Sequence, residues 1–109
     1  MYKQDIINRL QKLPEEIEAF ENNVIEAVNK IREAKEALTA KEDMLLVGGT
    51  IDGKNAETRS AQIRSHTVTE RQTVQAAENT LSIIRAYLNR LNNEQANDRA
   101  IADMLKGVI

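Results

Sequence analysis

The chain has no cysteine and no tryptophan, one proline, one histidine, four glycines and only three aromatic side chains, Tyr2, Phe20 and Tyr87. Each shortage narrows the field. Without cysteine there is no disulfide framework and no thiolate metal site, a usage that fits a reducing compartment. So few glycines and prolines cannot supply the repeated turns of a β-sandwich or barrel. With so few aromatics, there is no platform for stacking the bases of a single strand. A lone His66 without a Glu-x-x-His pair or a nucleophile partner is a surface or structural residue, so no metal, cofactor or catalytic site is expected and the chain reads as a non-enzyme. No apolar run approaches the ~20 residues of a membrane span, and the N-terminus lacks a signal-peptide core. The expectation is one cytoplasmic domain over residues 1–109.

What is abundant favours helix. Of 109 residues, 41% are hydrophobic and 29% charged. The formal net charge of −2 offers no overall attraction to nucleic acid. Its distribution is uneven: residues 14–46 carry nine acids and four bases. Glu15, Glu16, Glu18, Glu21 and Glu26 form an acidic stretch, read as a solvated face near a helix start or as a surface for a basic partner.

Apolar residues recur at alternating spacings of three and four, the signature of a coiled-coil seam. In the first half Leu10, Ile17, Val24, Ile31, Leu38 and Leu45 occupy heptad position a, and Ile6, Leu13, Phe20, Ala27 and Ala34 position d. In the second half Val74, Leu81 and Leu88 take a, and Ile63, Ala77, Ile84, Leu91 and Leu105 take d. Between them lies Val47-Gly48-Gly49-Thr50-Ile51-Asp52-Gly53-Lys54-Asn55, where a glycine pair follows an apolar helix end and Asp52 or Asn55 can cap the next helix. The fold predicted is all-α, a long antiparallel helical hairpin. Its expected segments are a short helix over 1–13, a long helix over 14–46 starting at Pro14, a turn over 47–55, a second long helix over 56–92 and a short helix over 97–106. A kinked but continuous first helix is the alternative at Pro14.

Folding about the middle of the turn makes facing residue numbers sum to 101. Leu13 then meets Leu88, Ile17 meets Ile84, and Phe20 meets Leu81, so every a faces a d. Toward the turn the pairs become polar: Ile31 faces Glu70, Ala34 faces Thr67, and Lys41 faces Ser60. At the other end Ile25, Val28, Ile83, Tyr87, Ile101, Met104, Leu105 and Val108 exceed what two helices can cover. The short terminal helices are therefore expected to leave the rod and pack at its base, with a homo-oligomer covering the remainder.

Lys54, Asn55, Arg59, Arg64 and Arg71 are the candidate partner-binding residues near the turn; Ile25, Val28, Ile83, Tyr87, Ile101 and Leu105 are the candidate oligomer or base-packing residues. Gly48-Gly49-Thr50-Ile51-Asp52-Gly53-Lys54 matches most of a phosphate-binding loop. Asn55, however, replaces its hydroxyl residue, and a helix rather than a strand precedes it.

The stretch Gly49 to Glu57, continuing through Arg59 and Ala61-Gln62, together with Leu13-Pro14-Glu15-Glu16, resembles small coiled-coil proteins of bacteriophages and prophages that turn at a Gly-Lys-Asn-Ala-Glu segment. That resemblance covers about half the chain. It implies an accessory role in phage DNA replication or recombination, inside the bacterial host, and no catalytic residues. The function expected is a non-enzymatic oligomeric scaffold with an unidentified protein partner and no membrane partner. One alternative is nucleic-acid binding through the basic arm, which would be salt-sensitive; another is inhibition of a host protein through the acidic face.

Overall fold

A computed structural model of the chain describes residues 2–108, with the side chain of Val108 outside the description. Among the described residues the structure is entirely helical apart from the turn and Thr67, with α1 over Tyr2–Val47, α2 over Ala56–His66 and α3 over Val68–Val108. The chain divides into two compact units. One, here the terminal unit, joins the chain up to Glu26 with the chain from Leu81; the other, the turn unit, is Ala27–Thr80.

In the terminal unit α1 and α3 run antiparallel. Lys3, Ile6 and Ile7 share a small cavity with Ala102, Leu105 and Lys106, while further along α1 Phe20 stacks on Tyr87 at 6.0 Å between ring centroids. Ile6, Leu13, Ile17 and Leu81 are the buried apolar side chains of this unit, all a or d positions. In the turn unit Ala27, Ala34, Leu45 and Val74 are buried, again on the seam. Each large side chain withdrawn from water contributes ~1.5–3 kcal/mol, which outweighs the weak helix propensity of the polar stretches.

Three boundaries differ from those expected. Pro14 lies inside α1 and starts no helix. It occupies a solvent-facing position, and Leu13 and Ile17 stay on the seam on either side of it, so packing offsets the ~3 kcal/mol that an internal proline costs. The expected second helix over 56–92 is interrupted at Thr67. The expected gap between residues 92 and 97 does not exist: α3 continues through it to Val108, so there is no separate helix over 97–106 and the terminal segments extend α1 and α3. The polar run there contains neither glycine nor proline, so nothing in its backbone opposes helix.

The register differs as well. Phe20 meets Tyr87, six residues beyond the Leu81 expected, and Arg9 reaches Glu94 and Asp98. The displacement is close to one heptad. Such a slip leaves every a facing a d, so the apolar pattern alone cannot reject it. The expected register also assumed an unbroken helix after the turn, an assumption that the interruption at Thr67 removes.

Asp98 occupies a d position and its side chain is only 2% exposed. Its Oδ2 sits 3.2 Å from the Nε of Arg9, yet no donor meets that oxygen with hydrogen-bonding geometry. Arg9 also donates to Glu94 at 3.4 Å, an exposed pair of small energetic weight. The Asp98 contact matters more, because a buried carboxylate without its cation is strongly unfavourable. In the expected register Asp98 would lie opposite Lys3; here it lies beside Arg9, and the alignment in which Arg9 covers it is favoured.

Removing the cation should therefore cost more than removing the pair. Arg9→Ala is expected to destabilise the chain by about 1–3 kcal/mol. Asp98→Leu, which restores an apolar d position, should be neutral or stabilising. Urea unfolding followed by circular dichroism measures both, and equal losses in the two variants would contradict this account.

Candidate interaction surfaces

The turn is held by its own polar groups. Gly48 closes α1 by donating its N–H to the Met44 carbonyl at 2.9 Å, and Gly49 follows with φ of +74°, a conformation costly for other residues. The backbone N–H groups of Asp52 and Gly53 both donate to Gln62 Oε1, at 3.1 and 2.9 Å. Gln62 Nε2 donates in return to Asp52 Oδ1 at 2.7 Å. Asn55 is the residue that caps α2, its side chain accepting from the Thr58 N–H at 2.8 Å. Gly53 is required by space: a Cβ there would come within 2.8 Å of Thr58 Cγ2 and 2.9 Å of the Arg59 nitrogen.

A second polar cluster marks the interruption between α2 and α3. Thr67 is fully buried. Its hydroxyl donates to the Ile63 carbonyl at 2.7 Å and accepts from Arg71 Nε at 3.0 Å. Its N–H reaches back to Arg64 at 3.3 Å, while its carbonyl accepts the Arg71 N–H that opens α3. Arg71 also approaches Glu42 of α1 at 3.9 Å. The threonine hydroxyl thus offers the backbone an alternative to continued helix.

The five candidate residues near the turn therefore divide. Asn55 serves as a cap, Arg59 donates to the Gly53 carbonyl at 3.2 Å, and Arg71 is tied to Thr67 and Glu42. Lys54 and Arg64 are exposed, and neither side chain makes a hydrogen bond or ion pair among the described residues. Arg64 borders a shallow hollow on α2 with Ala56, Glu57 and Ser60. The loop's resemblance to a phosphate-binding loop meets a physical obstacle, since the amides of Asp52 and Gly53 are already engaged by Gln62.

The apolar candidates also divide. Ile25, Ile83 and Tyr87 of the terminal unit are 60%, 59% and 45% exposed, and Val28 of the turn unit is 43% exposed. Ile101 is half-buried, and Leu105 borders the cavity shared with Ile6 and Ile7. Arg90 lies over the Tyr87 ring, 4.6 Å from its centroid, a cation–π contact that holds the ring at the surface. Val28 and Ile31 begin a solvent-open groove along α1 that extends to Asp43. Among the described residues no group of three or more acids and histidines is gathered for a metal, and no helix is long and apolar enough to cross a membrane.

Gln62, Thr67, Arg9 and Asp98 carry structural roles that the apolar pattern does not reveal. Asp98 had a visible signal, a charge on the seam; Gln62 had none, because its partners are backbone amides. No family model, curated protein or solved structure matches the chain.

The loop should be sensitive at two defined points. Gly53→Ala is expected to destabilise by about 1–3 kcal/mol through overpacking. Gln62→Ala is expected to accelerate hydrogen exchange at the Asp52 and Gly53 amides while leaving amides of the terminal unit unchanged. Unaltered exchange at those two amides would remove Gln62 from its assigned role.

Proposed function

We propose that this chain is a non-enzymatic helical-hairpin protein that works by association, first with its own copies and through them with another protein. The observation that carries the reading is the exposure of Ile25, Ile83 and Tyr87 on helices whose seams are already filled. Apolar surface that the fold of one chain leaves in water gains ~25 cal/mol per Å² when a partner covers it. The well-bonded turn supports the second half of the reading. The loop held by Gln62 and Asn55 presents Lys54, and α2 presents Arg64, on a backbone with little ordering entropy left to lose on binding.

The likeness of the turn segment to phage coiled-coil proteins suggests the setting: an accessory factor for phage replication or recombination in the bacterial cytoplasm. Light scattering on the purified chain at tens of micromolar is expected to give a defined multiple of the 12.3 kDa chain mass, with no turnover of ATP or GTP in the same sample. A monomer at that concentration, or nucleotide hydrolysis that co-purifies with the chain, would sink the reading.

A further inference from the structure

α3 carries a second heptad seam, one residue ahead of the first. Ile83, Tyr87, Arg90, Glu94, Asn97, Ile101 and Met104 follow the spacing four, three, four, three, four, three. Each precedes a seam residue by one place, so this stripe lies ~100° around the helix from the face that meets α1. Ile83, Tyr87 and Met104 are 59%, 45% and 73% exposed. Within the terminal unit the corresponding stripe on α1, which includes Arg9, Lys12, Glu16 and Glu26, carries no large apolar residue. The α3 stripe is thus the face of this unit that repeats exposed apolar residues at heptad spacing, while Ile25 stands exposed on the other flank of α1.

The order of side chains along that face identifies the partner. Two apolar residues, Ile83 and Tyr87, are followed by the polar Arg90, Glu94 and Asn97 and then by the apolar Ile101 and Met104. Ile83 and Ile101 lie equally far from Asn92, so an antiparallel two-fold interface centred there pairs them with one another. The charges agree. When two copies of α3 are laid antiparallel so that Ile83 faces Ile101 of the other copy, Arg90 faces Glu94 and Tyr87 faces Asn97, and each contact occurs twice. A parallel arrangement would place Arg90 beside Arg90 and Glu94 beside Glu94.

The geometry points to a second copy of this chain as the occupant, bound antiparallel through Ile83, Tyr87, Arg90, Glu94 and Ile101 of α3. This rests on the association proposed above and specifies its surface. Arg90 can leave the Tyr87 ring for a carboxylate, and Glu94, whose present partner is the exposed Arg9, keeps lone pairs for a second cation.

Because the chain has no cysteine, disulfide trapping is clean. Ile83→Cys and Ile101→Cys chains are mixed, allowed to exchange and oxidised mildly. A disulfide-linked dimer is expected from the mixture and from neither variant alone, since two copies of residue 83 would be ~27 Å apart. In the otherwise unchanged chain Arg90→Glu should weaken self-association about tenfold or more, and adding Glu94→Arg should restore it. Cross-linking of Ile83→Cys with itself would overturn the antiparallel arrangement. An oligomer by light scattering without the mixed disulfide would overturn this surface while leaving association intact. A monomeric wild-type chain would overturn both.

Discussion

A helix pair can bury only one stripe on each of its members, and most features of this chain follow from that limit. The a and d residues of α1 and α3 fill the seam in both units, and everything else apolar stays in water unless another surface covers it. The same stripe carries α1 past Pro14 and α3 past the polar run at 92–98, because a helix end at either place would sacrifice seam contacts on both sides. At Thr67, where the stripe carries a polar side chain, local hydrogen bonds take over and the helix breaks.

Polar groups have a different task. Asp98 and Thr67 are the two fully withdrawn polar side chains among the described residues, and each is met by an arginine, Arg9 or Arg71. Neither pair adds much net stability, since desolvation offsets attraction. What they supply is discrimination: a slip that separated Asp98 from Arg9 would strand a charge, whereas the same slip costs an apolar layer very little. Gln62 acts similarly at the turn, where one side-chain amide satisfies two backbone donors and so selects one loop conformation.

The proposed association rests on what the seam leaves over. The exposed stripe on α3 is left in water by the helix pair, and its Arg90 and Glu94 pair when the stripe is laid against its own reverse. The turn offers a different kind of surface, small and polar, in which Lys54 and Arg64 stand beside side chains already committed to holding the loop.

The all-helical class, the two seams, the position of the turn and the apolar surplus were legible in the sequence, because a repeat of 3.5 residues maps directly onto one face of a helix. The register was not, since the repeat is blind to a displacement of one heptad. Nor were the helix ends: Pro14 and the run from Asn92 to Asp98 look like breaks locally, and only burial of Leu13, Ile17 and Asp98 across the seam overrules them. The choice of Asn55 over Asp52 as cap, and of Arg71 as a structural partner rather than a free surface charge, depends on atoms distant along the chain or on which of two equivalent oxygens is already engaged. Periodicity thus set which faces meet; tertiary packing decided which residues on those faces meet, because the buried Asp98 carboxylate and its partner Arg9 distinguish one alignment from its neighbour.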